Sequence, residues 1–242
     1  MKNHKMFYLF LTFLLFLSFG EVNPLYAYVE IQVENGGELS GTISFKGETP
    51  VNKKINVIHD HEYCGNSIYD ETYIVNSGNK GLQNVVISIE GIKRGKKADD
   101  TPVILEYVKC RFVPHVLAGM VGNSYEIRNT DPILHDLRLE INSETILNVI
   151  LPPNGRNMKE SFSQSGTFNN HCDAHPFQKG TMYVAENPYF AVTDKDGHYA
   201  IANIPPGKYR VKIWHEALPL QEKEIVISPQ NRVKLSLDLS SQ

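Results

Sequence analysis

The feature that most limits how this 242-residue chain can fold is a two-residue alternation of apolar and polar side chains, which recurs along most of its length. Leu39, Ile43 and Phe45 share one side of LSGTISF, and Val85, Ile87 and Ile89 share one side of NVVISI. Tyr125 and Ile127 follow Gly122 in the same way. Tyr209, Val211 and Ile213 alternate with Lys208, Arg210 and Lys212; Val233, Leu235, Leu237 and Leu239 alternate with Lys234, Ser236 and Asp238. Successive side chains of a strand point to opposite faces, so this period predicts strands with one buried and one wet face. Beyond residue 27 no apolar stripe of helical period reaches helical length. Asn35-Gly36-Gly37, Asp131-Pro132, Pro153-Asn154-Gly155, Asp196-Gly197 and Pro205-Pro206-Gly207 separate the runs with turn chemistry, and Lys93 to Asp100 reads as an exposed polar loop. The expectation is an all-β chain, an antiparallel sandwich or barrel.

The N-terminus is different. Lys2, His4 and Lys5 precede a 14-residue apolar run from Met6 to Phe19. That run is too short to span a bilayer comfortably and has the length of a secretory core. Ser18-Phe19-Gly20 and Leu25-Tyr26-Ala27 offer cleavage sites, and no cysteine follows closely enough for a lipid anchor. Residues 1–27 therefore read as a signal peptide, and the mature chain as periplasmic or secreted with no membrane span. Of 24 basic and 27 acidic residues, that segment holds two lysines and one glutamate, leaving 22 against 26, a net charge of −4. Such a balance gives no electrostatic reason to expect nucleic acid as a partner. The cysteines are Cys64, Cys110 and Cys172. In an oxidising compartment an odd count means one pair plus a leftover, or a thiolate held by something else.

Cys172-Asp173-Ala174-His175-Pro176-Phe177-Gln178 offers what could hold it. A thiolate and an imidazole three residues apart on a tight loop can both face one ion. A remote histidine must complete the set, and Asn129-Thr130-Asp131-Pro132-Ile133-Leu134-His135 places one at a strand end after a turn. Two imidazoles, one thiolate and a weak axial ligand make a blue-copper ligand set.

In the order GNSYEIRNTDPILHD … CDAHPFQKG the chain resembles the cupredoxin family, of amicyanin and plastocyanin type, over roughly residues 105–185. Its loop is similar to the amicyanin pattern C-x-x-H-P-F-M. The resemblance implies a Greek-key sandwich and a copper cofactor with His135, Cys172 and His175 as equatorial ligands. The axial position falls on Gln178, where the family has methionine; a harder amide oxygen favours the cupric state. Met182 is the other axial candidate, but it opens the next strand and reads as core. Asp136 stands where the family commonly has Asn, a residue that ties the two ligand loops together; a carboxylate can do so only as an acceptor. Related chains with a CG … CxFxPHV arrangement are similar at Cys64 and Cys110 and imply a bridge between them. That bridge removes His59-x-His61-x-x-Cys64 as a metal cluster and leaves Cys172 free. His115 and His171 are spare imidazoles.

Beyond Asn187-Pro188, the stretch YFAVTDKDGHYAIANIPPGKYRVKIWHE resembles a carboxypeptidase-regulatory-like, transthyretin-like sandwich module, and GELSGTISFKGETP near the start has a similar character. The expected division is a signal peptide over 1–27, a cupredoxin-like domain with an N-terminal β extension over 28–186, and a small β-sandwich over 187–242. Asp194-x-Asp196-Gly197 begins like a calcium loop, but Pro205 stands where the bidentate Glu belongs, so a hairpin turn is expected there. Trp214, at a strand end, is expected in the core rather than stacking on a sugar.

No Ser-His-Asp order, phosphate-cradling glycine loop or paired catalytic carboxylates stand out, and a copper oxidase or nitrite-reducing enzyme would need a second histidine-rich ligand set. The expectation is a non-catalytic electron carrier that docks to a redox protein such as a cytochrome. Its electron port would be His175, reaching the surface through an apolar patch with Pro176, Phe177, Ile133 and Leu134. The alternative is an exported module that holds carbohydrate or another protein.

Overall fold

The computed structural model describes residues 28–241; the expected signal peptide lies outside them. Among the described residues nearly all regular structure is strand, with one short helix at His61–Cys64, and the all-β expectation holds. Among the described residues no helix is long and apolar enough to cross a membrane.

Residues 103–185 form a central sandwich. One sheet has the order Met158–Ser161, Ser124–Asn129, Val103–Tyr107, Phe112–Val113; the other runs Glu144–Leu151, His135–Ile141, Gly166–His171, Lys179–Ala185, Val116–Met120. Between them lie Leu105, Tyr107, Tyr125, Ile127, Leu137, Leu139, Phe168 and Met182, all buried. The pairing is not purely antiparallel. Val103–Tyr107 pairs parallel to Ser124–Asn129, and Lys179–Ala185 parallel to Val116–Met120. The chain leaves the first sheet after Phe112–Val113, crosses to the second at Val116–Met120 and returns at Ser124–Asn129, and a parallel partner needs such a crossover.

The second sandwich is discontinuous in sequence. One sheet joins Phe190–Val192, Val86–Glu90, Gly207–His215 and Leu218–Ile227; the other joins His198–Ile204, Gly37–Phe45, Arg232–Lys234 and Leu237–Leu239. Strand pairing thus runs differently from the expected 28–186 and 187–242 division. Gly37–Phe45 and Val86–Glu90 pair with the C-terminal strands, and the central sandwich is inserted between the two halves. The reason lies in the faces: Leu39, Ile43, Phe45, Ile87 and Ile89 bury against Tyr199, Ile201, Val211, Ile213, Ile225 and Ile227 in one core. An apolar sheet face must cover another, and each half alone lacks its partner.

The expected alternation is present in Gly207–His215, where Val211, Ile213 and His215 are buried while Lys212, Trp214 and Glu216 are half-exposed. Trp214 is therefore not core, contrary to expectation. It continues the Lys212 face and meets Tyr183 of the central sandwich, ring centroids 5.8 Å apart. At Asp194–Gly197 the Asp194 carboxylate accepts the N–H groups of Asp196 and His198 at 2.9 Å each. The turn is real, but it joins strands of different sheets rather than a paired hairpin. Gly197 takes φ +77° there, and a Cβ would stand 2.2 Å from the carbonyl oxygen of Ile43.

Candidate metal centre

His135 opens the strand His135–Ile141, and Cys172 directly follows Gly166–His171, its antiparallel neighbour. Antiparallel neighbours bring the start of one strand beside the end of the other, so sheet pairing alone places both residues at one end of the sandwich. The loop after Cys172 then folds back in two tight turns: His175 N–H donates to the Cys172 carbonyl at 3.2 Å and Gln178 N–H to the His175 carbonyl at 2.8 Å.

The result is a convergent triad. The Nδ1 atoms of His135 and His175 are 3.1 Å apart, and Cys172 Sγ lies 3.9 Å from the first and 3.6 Å from the second. With metal bonds of about 2.0–2.1 Å to nitrogen and about 2.3 Å to sulfur, one ion reaches all three atoms, which subtend roughly 100–130° at it. All three side chains are at most 1% exposed. Burial, ahead of the interactions with Asp136 and His175, pushes the Cys172 thiol up to about 12. Burial, followed by the opposing hydrogen bond to Asp131 and the repulsion of His175, lowers the pKa of His135 and favours its neutral, ligating form. A buried pocket holding two imidazoles and a thiol suits a soft or borderline transition metal.

Gln178 is 2% exposed, and neither its Oε1 nor its Nε2 has a hydrogen-bond partner. A buried amide left unsatisfied is costly, and a lone pair offered to a cation is one way to relieve it. Met182 lies within Lys179–Ala185, across from Phe168 and Leu117, and is fully buried in the apolar core. That is the packing role expected of it.

Asp136 ties the ligand loops although it is not Asn. Its Oδ2 accepts the N–H of Asp173 at 2.9 Å, its Oδ1 accepts that of Ala174 at 2.8 Å, and the Cys172 thiol lies 3.4 Å from Oδ1. Tyr107 donates its hydroxyl to the Asp136 carbonyl at 2.6 Å and stacks on the His135 ring, 4.3 Å between centroids and 9° from parallel. Cys64 and Cys110 form a disulfide with Cα atoms 5.5 Å apart, and Cys172 is the free cysteine.

The expected electron port is present only in part. Pro176 and Leu134 of the expected patch are exposed and Ile133 is half-buried, whereas Phe177 is 7% exposed and His175 itself 1% exposed. Val57, Ile68 and Cys110, with the half-buried Ile55, Cys64 and Ile133, pack around Phe177 and cover that face. Two carboxylates to which motif reading gave no role meet the imidazoles, one from the covering segment and one from the turn before His135. Asp60 Oδ2 lies 2.8 Å from His175 Nε2, and Asp131 Oδ2 lies 3.0 Å from His135 Nε2. Burial raises the Asp131 pKa, but hydrogen bonds from Cys110 N–H, Tyr63, Lys109 N–H and His135 outweigh it and hold the group below its ordinary value. His59 and His61 are exposed, and His171 faces Glu140 at 3.6 Å. His115 is buried against Glu216 at 2.6 Å.

A family model described as polysaccharide lyase family 4, domain II, with a fibronectin type III-like fold, matches residues 163–235, under half of the chain. No curated protein matches. Among solved structures, the chain is similar to the copper-containing nitrite reductase of Thermus scotoductus SA-01 at 26% identity and TM-score 0.32, covering 38% of this chain and 24% of that one. It is similar to a purple cupredoxin of Nitrosopumilus maritimus at 20% identity and TM-score 0.31, covering 34% of this chain and 99% of that one. It is also similar to a mutant of amicyanin in its reduced state at 17% identity and TM-score 0.32, over 40% of this chain and 97% of that one.

Proposed function

We propose that this protein is an exported, mononuclear copper protein of the cupredoxin type that carries electrons in the periplasm and is not itself an enzyme. The observation that carries this reading is the convergence of His135 Nδ1, His175 Nδ1 and Cys172 Sγ within 3.1–3.9 Å of one another in a buried pocket. Copper would be held there by His135, Cys172 and His175, with the unpartnered amide of Gln178 as a fourth donor, and would supply a one-electron couple. The chain's own part is to keep the ligands still and water out. Strand ends fix His135 and Cys172, Asp136 fixes the loop, and Tyr107 braces the ring of His135. Ligands held this way need little rearrangement when the charge on an ion changes. The exit toward a redox partner such as a cytochrome runs through Asp60, whose side chain is 48% exposed and touches His175. Voltammetry of the copper-loaded protein tests the reading: a reversible one-electron couple is expected, and a protein that takes up no copper contradicts it.

A second reading is a module that holds carbohydrate. It is favoured by the polysaccharide lyase domain match and by a cleft of about 260 Å³ between the two sandwiches, lined by Trp214, Tyr183, Lys212 and Glu90. Calorimetry against a panel of neutral and acidic polysaccharides decides it; binding that Trp214→Ala abolishes would support it, and no heat with any of them would end it.

A further inference from the structure

We propose that Asp60 and Asp131 are positioning residues of the metal centre. Each accepts the Nε2–H of one ligand imidazole, so that both rings turn a bare Nδ1 lone pair toward the same ion. The inference rests on the copper reading above and specifies how this chain sets the properties of that site.

Proton placement carries the argument. A neutral imidazole has one N–H, and an ionised carboxylate can only accept. Asp131 Oδ2 lies 3.0 Å from Nε2 of His135 and Asp60 Oδ2 lies 2.8 Å from Nε2 of His175, so each carboxylate is placed to accept an Nε2–H and to leave Nδ1 as the bare nitrogen. Both Nδ1 atoms are then lone pairs, held 3.1 Å apart beside a thiol sulfur. The carboxylates thus convert two ambiguous histidines into a preset pair of donors.

Both carboxylates are organised by one piece of chain. Asp60 precedes the turn His61–Cys64 with φ +51°, and Tyr63 of that turn donates its hydroxyl to Asp131 Oδ1 at 2.8 Å. Cys64 closes the turn through its disulfide to Cys110, and the N–H groups of Lys109 and Cys110 donate to the Asp131 carboxylate at 2.7 and 2.8 Å. The same bridge therefore sets Asp60 on His175 and Asp131 on His135. Asp131 is 2% exposed with its donors in place, whereas the Asp60 side chain is about half exposed and meets His175. A carboxylate on the far nitrogen makes an imidazole a more basic ligand. Two of them, added to a thiolate, favour the more highly charged cupric ion and lower the reduction potential.

The test uses the full mature chain and three substitutions. Asp60→Asn keeps an acceptor oxygen but removes the charge; the thiolate-to-copper band should survive while the potential rises, by about 59 mV for each tenfold loss of cupric relative to cuprous affinity. Asp60→Ala removes the acceptor and should weaken cupric binding by about 10–100-fold in a chelator competition. Tyr63→Phe strips one donor from Asp131, leaves that carboxylate a stronger acceptor and should move the potential the other way, down. General loosening of the site cannot produce opposite signs from neighbouring residues. Nitrogen NMR of the metal-free wild type should show both rings protonated at Nε2. Wild-type potential and affinity in both Asp60 variants, or an Nδ1–H ring at His175, would overturn the proposal. A wild type that binds no copper would overturn the copper reading instead, with the NMR result still deciding where the protons sit.

Discussion

At the residue scale, the four proposed ligand positions divide by what each can be replaced with. His135, Cys172 and His175 bring donor atoms within 3.1–3.9 Å of one another, so on the copper reading each is needed for the set to close. On the same reading Gln178 is a tuning position: its amide is buried without a hydrogen-bond partner, and a thioether there would favour the reduced ion. Gln178→Met should therefore raise the reduction potential and leave the melting temperature nearly unchanged. Met182→Ala, which empties a fully buried site between the sheets, should do the reverse and cost about 2–5 kcal/mol of stability. Voltammetry and thermal melting on the two variants separate the roles; a large potential shift from Met182→Ala alone would reassign the axial ligand. The proposed ligands were legible because C-x-x-H places two donors on one short loop. Their carboxylate partners were not. Asp60 stands 115 residues from His175 in sequence, next to two histidines that draw attention and turn out exposed. Asp131 was visible as half of an Asp-Pro turn, but its contact with His135 depends on a turn shape that the pattern does not specify.

At the scale of elements, the segment around His61–Cys64 decides how open the site is. The expected apolar port assumed that nothing covers Phe177, and long-range cover of this kind leaves no periodic signature. Here the cover comes from strands Lys54–Asn56 and Ser67–Tyr69 and the turn between them, fastened by the Cys64–Cys110 bridge. Closing a loop of that 46-residue separation should contribute about 4 kcal/mol in the chain-entropy model. The Cys64→Ala/Cys110→Ala double variant should melt lower by a corresponding amount and expose Cys172 to thiol reagents much faster. A double variant in which Cys172 reacts as slowly as in the wild type would mean that packing alone holds the cover down. Strand content, by contrast, was readable from the period-two pattern, because that pattern is imposed locally by which face is buried. The same alternation, followed one residue past Ile213, also puts Trp214 on the outer face; the expectation of a core tryptophan set aside that local signal.

At the scale of the whole molecule, the sequence signal ran out at pairing between distant segments. The likeness between GELSGTISFKGETP and the C-terminal stretch hinted at a shared sandwich, but alternation marks faces and not partners. Once the outer sandwich is seen to close around the insertion, the junction between the two becomes a load on His115. That residue leads into Val116–Met120 of the central sandwich and bonds Glu216 of the outer one at 2.6 Å, with Glu71 3.9 Å away. Burial works against its charge, but Glu216, then Glu71 and Asp70, outweigh it and raise its pKa. A histidine that holds its proton more tightly when folded adds stability fully below its ordinary value of about 6.5, and that stability is lost as pH climbs through the raised folded value. Melting temperature should fall over that window, and Glu216→Gln should flatten the slope; an unchanged slope would remove His115 from the account. The central claim, however, is that Cys172 and two histidines hold copper, and one measurement tests it most directly. Mature protein titrated with cupric ion and read by absorption and metal analysis should bind one copper per chain with an intense thiolate-to-copper band, which Cys172→Ser abolishes. A wild type that binds no copper, or a Cys172→Ser variant that keeps the band, would contradict it.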